Sequence, residues 1–98
     1  MGFVLATFKF MPETVDTDLD NVKNEVEDVI SKFGAKTEKV DREPVAFGLN
    51  ALIVVVSIDE NKGGLDPLED QLRNVEGVES VEVTDVRRAI GWAFLTAF

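Results

Sequence analysis

The chain has 98 residues, of which 45% are apolar and 30% charged, and its formal net charge is −9. This length suits one domain, and this composition excludes extensive disorder. The absence of cysteine excludes a disulfide framework, and the absence of histidine removes the commonest general base. The longest apolar run, Ala51 to Ser57, is too short to cross a bilayer, and the first residues do not have the pattern expected of a signal peptide, since Lys9 interrupts their apolar run. We therefore expect a cytoplasmic domain without membrane contact.

The excess of acid argues against one class of partner. Nineteen acidic and ten basic residues give a surface that repels phosphate backbones, so we expect no direct nucleic-acid binding. Residues 13–28 and 59–85 hold sixteen of the acids and three of the bases. We expect most of this acid to form a solvated outer face on two helices.

The first third of the chain predicts a strand and a helix. Residues 2–11 are rich in β-formers and are stopped by Pro12, which indicates an interior strand. A helix is predicted from Asp18 to Phe33, with Asp18 among its capping residues and Gly34 as its stop. Its inward stripe follows helical spacing: Leu19, Val22, Val26, Val29, Ile30 and Phe33.

The middle of the chain predicts two further strands. Residues 35–47 alternate loosely and carry both signs of charge, as an edge strand does, and Gly48 breaks them. Residues 49–58 are the most β-prone run and predict a central strand. The glycine-rich residues 61–64 predict a loop.

A second helix and a last strand complete the pattern. Asp66 is predicted to cap the helix, with Pro67 as its first residue, Glu69 in the capping-box position and Gly77 as its end. The final strand is marked by four valines: Val78, Val81, Val83 and Val86. The order β-α-β-β-α-β predicts an α+β, ferredoxin-like sandwich, with a four-stranded antiparallel sheet in the spatial order 4-1-3-2 and both helices on one face.

One acidic motif imitates a calcium loop. Asp16, Asp18, Asp20 and Glu27 have the spacing of calcium-binding acids, but Asn21 stands where the loop needs glycine to turn. The predicted helical stripe also runs through this segment. We therefore expect helix capping here and no metal site.

The remaining chemistry predicts no catalytic residue and no cofactor. No Gly-x-x-x-x-Gly-Lys-Ser/Thr loop is present to hold nucleotide phosphates. An RNA-recognition domain has this strand order, but it displays aromatic and basic residues on strand three, and residues 49–58 contain neither. These observations favour a binding function over an enzymatic one.

A phenylalanine lies in the predicted hairpin, between Pro44 and Gly48. Hairpin tips are usually polar, so Phe47 has two interpretations. It folds back to cap the core, or it is an aromatic anchor of the kind that carries much of a binding interface. The residues alone leave both open.

Four segments of the chain resemble the archaeal elongation factor 1-beta family. They are residues 11–13 (Met-Pro-Glu), residues 18–19 (Asp-Leu) at the start of the predicted helix, residues 42–52 with the unusual string Glu-Pro-Val-Ala-Phe-Gly-Leu, and residues 77–88. The resemblance spans residues 1 to about 90. It implies a ferredoxin-like fold and a guanine-nucleotide exchange factor, not an enzyme, whose partner is the GTPase elongation factor 1-alpha. The alternative is a non-catalytic ferredoxin-like module for protein interaction or ligand sensing.

The resemblance also implies partner-binding residues. Eukaryotic relatives insert a hairpin phenylalanine into a pocket on the GTPase, and Phe47 matches it, with Pro44 and Gly48 beside it. Those relatives also place a lysine near the C-terminus to disturb the magnesium site. No lysine follows Lys62 here, and the nearest cations are Arg87 and Arg88.

Beyond a domain of residues 1–90, residues 91–98 form an apolar extension, GWAFLTAF. We do not expect so large an apolar set to remain exposed to solvent on a monomer. We expect it either to fold back on the domain or to mediate weak self-association with a second copy.

Overall fold

The computed structural model describes residues 2–59 and 65–90, with the side chains of residues 89 and 90 excepted. Its elements are β1 (Gly2–Pro12), α1 (Leu19–Phe33), β2 (Lys36–Pro44), β3 (Asn50–Asp59), α2 (Asp66–Arg73) and β4 (Val78–Ile90). The strands form one antiparallel sheet in the order β2-β3-β1-β4. The predicted ferredoxin-like architecture and strand order are therefore confirmed. The predicted loop at 61–64 and the extension at 91–98 lie outside the described residues.

The core lies between one face of the sheet and both helices. Even-numbered residues of β1 and β3 point toward it, with Phe8 facing Val54 across the strands, and the rings of Phe8 and Phe10 are 6.2 Å apart. Both helices contribute apolar side chains to the same cluster. The buried helical residues are Val22, Val26, Ile30, Leu68 and Leu72. No polar or charged side chain is buried among the described residues.

Helix α1 forms as predicted. Asp18 is its N-cap, and its carboxylate accepts hydrogen bonds from the backbone N–H groups of Asp20 (3.0 Å) and Asn21 (3.3 Å). Gly34 ends the helix at φ 95°, the left-handed conformation that glycine adopts without a steric penalty.

Helix α2 differs from its prediction at both ends. Its N-cap is Leu65, which makes no side-chain cap, and Asp66 is the first helical residue, so the predicted capping box is wrong. A proline fits anywhere in the first turn, where N–H groups have no helical acceptor, so Pro67 did not fix the cap. The carboxylate of Glu69 instead accepts a hydrogen bond from Arg73, the last residue of the helix. The helix ends at Arg73, four residues before the predicted end at Gly77.

Three β-bulges set which residues face the core. Two lie in β4, at Thr84 opposite Thr7 and Phe8 and at Glu79 opposite Met11 and Pro12, and the third lies in β2 between Thr37 and Lys39. Thr84 has no strand partner in this register, and its hydroxyl donates to the carbonyl of Thr7 (3.4 Å). Because the alternation of side chains along β4 shifts by one residue at Thr84, Val86 faces the helix side and Asp85 the opposite side. None of the described helices is long and apolar enough to span a membrane.

Candidate functional site: the β2–β3 hairpin and its neighbours

A tight turn connects β2 to β3. Strand β2 ends at Pro44, so its predicted continuation to Phe47 is wrong, and residues 46–48 form a tight turn. The N–H of Val45 donates to the carbonyl of Leu49 (2.8 Å), and the N–H of Leu49 donates to the carbonyl of Ala46 (3.3 Å). These hydrogen bonds close the base of the turn and fix the direction in which its tip projects.

The tip presents Phe47 to solvent. Its side chain is 93% exposed, which excludes the interpretation that it caps the core. Its backbone is left-handed, at φ 63° and ψ 28°, and the next residue, Gly48, has φ 77°. A left-handed conformation costs a non-glycine residue roughly 1–2 kcal/mol, so the chain carries local strain here. An exposed aromatic ring on a strained turn is typical of a binding anchor.

A second exposed apolar residue stands beside the tip. Val15, in the loop between β1 and α1, is 61% exposed. A Cβ atom built on Gly48 would lie 3.8 Å from Cγ1 of Val15, so the two loops are in contact. No pattern in the sequence indicated this residue, because 32 positions separate it from Phe47. The apolar tip therefore has two members, Phe47 and Val15.

Ionic and backbone contacts hold these loops in place. Arg42, two residues before the end of β2, binds the carboxylate of Asp20 in the first turn of α1. The N–H of Glu13 donates to the carbonyl of Gly77 (3.0 Å), which ties the end of β1 to the loop before β4. The hairpin, the β1–α1 loop and the α2–β4 loop therefore meet at one pole of the sandwich.

The same pole carries mostly acidic side chains. The exposed acids of its three loops and of the adjoining strand and helix ends are Glu13, Asp16, Asp18, Asp20, Glu43 and Glu76. Arg42 is paired to Asp20, so this base neutralises only one of them. The apolar tip is therefore surrounded by negative charge. A complementary partner surface would be an apolar pocket with a basic rim.

The two arginines of the predicted site lie far from the hairpin. Arg87 pairs with Leu5 and Arg88 with Val4 in the register of the sheet, so their side chains leave β4 on opposite faces. Leu5 also pairs with Ser57, seven residues from Asn50 at the hairpin end of β3. Seven strand residues span roughly 23 Å. The structure thus groups Pro44, Phe47 and Gly48 at one pole and places both arginines toward the other.

The calcium-like acids have other roles. Asp18 caps α1 and Asp20 binds Arg42, so two of the four carboxylates are already engaged. Among residues 2–59 and 65–90, no group of three metal-ligating side chains is close enough to hold an ion.

Comparison with known proteins identifies the family. The EF-1 guanine nucleotide exchange domain profile matches residues 5–89. The chain is 48% identical to elongation factor 1-beta of Methanothermobacter thermautotrophicus, over 90% of this chain and 98% of the relative. It is 49% identical to that of Methanococcoides burtonii, over 92% of this chain and 100% of the relative.

The chain belongs to the elongation factor 1-beta family. Its function is accordingly that of a translation elongation factor carrying a nucleotide-exchange domain, as the sequence motifs indicated. The elongation factor 1-beta of Natronomonas pharaonis is 47% identical over 90% of this chain.

Solved structures bear out the fold of this family member. The ACT domain of the GTP pyrophosphokinase of Chlorobium tepidum superposes with a TM-score of 0.55, at 28% identity, over 81% of this chain and 95% of that domain. The C-terminal domain of the MgtC protein of Mycobacterium tuberculosis superposes with a TM-score of 0.56 at 13% identity, over 91% of this chain and 88% of that domain. The second likeness concerns the fold alone.

Proposed function

We propose that this chain promotes the exchange of GDP for GTP on elongation factor 1-alpha, and that Phe47 is its principal anchor on that GTPase. The observation that carries the proposal is the 93% exposure of Phe47 on a left-handed turn within the family's characteristic string. An exchange factor accelerates release by binding the nucleotide-free GTPase more tightly than the loaded one. This task requires surface contacts and no acid or base.

The hairpin pole makes the first contact. Phe47 enters an apolar pocket of the GTPase, and Val15 adds a second apolar contact beside it. Pro44 and Gly48 act by shaping the turn, since Pro44 ends β2 and Gly48 adopts φ 77°. The acidic surroundings steer this pole toward a basic rim, an effect that salt weakens.

The opposite end of β4 makes the second contact. Arg87 or Arg88 approaches the magnesium and phosphate groups at the nucleotide site, where the lysine of eukaryotic relatives acts. A cation placed there competes with the metal for the negative charge of the phosphates. With roughly 23 Å of strand between the two contacts, a rigid sheet sets the distance between anchor and cation. We place the protein in the cytoplasm with its GTPase, and assign it no resident cofactor.

Release of a fluorescent GDP analogue from purified elongation factor 1-alpha tests the proposal. The native chain should accelerate release, and Phe47→Ala should lower the affinity for the GTPase at least about 30-fold, the ~2 kcal/mol expected of a binding hot spot. Val15→Ser should have a smaller effect in the same direction. The control is Val86→Ser, since Val86 is another exposed valine, 52% accessible and distant from the hairpin.

Three outcomes would contradict the proposal. If the native chain leaves release unchanged, the alternative of a non-catalytic interaction or ligand-sensing module is correct. If Phe47→Ala exchanges as well as the native chain, the anchor lies elsewhere. If that variant instead loses about 3–5 kcal/mol of folding free energy, Phe47 is a core residue.

A further inference from the structure

The two central strands present an apolar face that neither helix covers. Both helices pack on the even-numbered side of β1 and β3, so the odd-numbered side, here called the open face, has no helix over it. Its apolar members are half-buried, apart from Ala51, which is fully buried: Phe3, Leu5, Met11, Ala51, Ile53 and Val55. A contiguous apolar stripe of this kind marks an interaction surface.

The charged residues of the open face lie mainly along its two edges. In β2, Lys39 and Asp41 form an ion pair (3.3 Å), and in β4 Arg87 and Asp85 form another (2.9 Å). The register places four bases and five acids on this side, so the face is nearly neutral although the whole chain has a charge of −9. They are Lys9, Lys36, Lys39, Arg87, Asp41, Glu43, Asp59, Glu82 and Asp85. A nearly neutral, apolar face suits an uncharged apolar occupant.

The chain itself supplies such a segment next to the open face. Strand β4 ends at Ile90, which pairs with Gly2, so residues 91–98 start from the end of the stripe. Eight residues reach at most about 26–29 Å. That length takes them over Phe3, Leu5 and Val55, but not to the hairpin. The segment carries no charge, and its large apolar members are Trp92, Phe94, Leu95 and Phe98.

A cavity opens at the same end of the sheet. It has a volume of about 480 Å³, and Phe3, Ala35 and Ser57 are among the residues that line it. The cavity lies about two strands away from the end of β4, where the segment begins, a lateral distance of roughly 10–15 Å. An aromatic ring buries 150–250 Å² of surface on average, so its burial here would be strongly favourable.

We propose that residues 91–98 lie across the open face and cover Phe3, Leu5 and Val55. A tethered segment meets its site at an effective concentration in the millimolar range, which favours it over a second copy. The charge of −9 further opposes the approach of a second copy. The proposal concerns the free protein and does not depend on the exchange activity.

Trp92 reports directly on this contact, because it is the only tryptophan of the chain. In the full-length protein we expect a blue-shifted emission and weak quenching by acrylamide. The double variant Leu5→Thr/Val55→Thr keeps β-forming residues on the strands but makes the face polar. It should shift the emission to the red and raise the quenching constant at least twofold, with circular dichroism unchanged.

The control is Val86→Thr, since Val86 lies near the same end of the sheet but on its helix side. It should leave Trp92 shielded. If Val86→Thr increased the quenching of Trp92 and the double variant did not, the segment would lie on the helix side of the sheet, which would overturn the proposal. Fully quenchable Trp92 in the native protein would also overturn it.

A dilution series separates the segment from a second copy. Shielding within one chain is independent of protein concentration over a hundredfold range, with a monomeric mass in sedimentation. Shielding that is lost on dilution together with a dimeric mass would show that a second copy covers the face. If the double variant does not fold, Phe94→Lys/Phe98→Lys tests the same contact from the segment's side. It should raise the quenching of Trp92 at least twofold, and unchanged quenching would contradict the proposal.

Discussion

Arg42 and Asp20 form an ion pair that joins the strand leading into the hairpin to the first turn of helix α1. Both side chains are exposed, so the pair contributes little to folding, typically below about 1 kcal/mol. Because Arg42 lies two residues before Pro44, the pair restrains the base of the hairpin that presents Phe47.

We therefore expect Arg42→Met to leave the free energy of unfolding within about 1 kcal/mol of the native value. The same change should reduce exchange efficiency about 2- to 10-fold, the effect of having to order one more side chain on binding. Lys39→Met is the matched control, because Lys39 pairs with Asp41 along the same strand. The measurement is a double-mutant cycle with Asp20→Asn. Strictly additive losses in exchange would show that the pair does not position the hairpin.

The strain at Phe47 predicts opposite effects on stability and on function. Phe47→Gly removes the left-handed penalty of roughly 1–2 kcal/mol, but the unfolded chain gains flexibility, which offsets part of the benefit. We expect the melting temperature to stay level or to rise. Binding to the GTPase should still fall at least about 30-fold, since the aromatic ring is lost. A large drop in melting temperature would mean that the ring supports the fold, contrary to its exposure.

The sequence determined most of the fold because periodicity and backbone chemistry act locally. The stripe of α1, the cap at Asp18 and the stop at Gly34 were all predicted within the segment that forms them. The spacing of the valines in β4 also indicates the bulge at Thr84, because Val83 and Val86 are three residues apart rather than two.

The errors occurred where tertiary structure decides. Pro67 fits more than one position of a first helical turn, so the capping of α2 could not be fixed from its neighbours. The candidate site was predicted only in part for the same reason. Phe47 is recognisable from its string, whereas Val15 and the pairing of Arg42 with Asp20 depend on loops that meet only in the folded chain.

Asp18 allows capping to be distinguished from metal binding. Because its carboxylate accepts two backbone hydrogen bonds at the start of α1, Asp18→Ala should lower the free energy of unfolding by about 1 kcal/mol. Asp16→Ala, in the preceding loop, is the control and should have a smaller effect. Millimolar calcium should produce only the weak response of any acidic surface. A saturable calorimetric signal that Asp18→Asn abolishes would contradict this assignment.

Arg87 and Arg88 offer the sharpest test of the second contact with the GTPase. Their side chains leave β4 on opposite faces, so one rigid partner surface cannot use both equally. We expect Arg87→Gln and Arg88→Gln to differ at least about 10-fold in stimulated release of GDP, the ~1.4 kcal/mol scale of one charge-assisted contact. The loss of stimulated GDP release in the double variant should be no larger than the loss in the more impaired of the two single variants. Binding measured separately should change less than release, because the contact acts at the nucleotide site. Equal losses in both single variants would show instead that β4 bends on binding, and intact release in the double variant would exclude this end of the strand from the exchange mechanism.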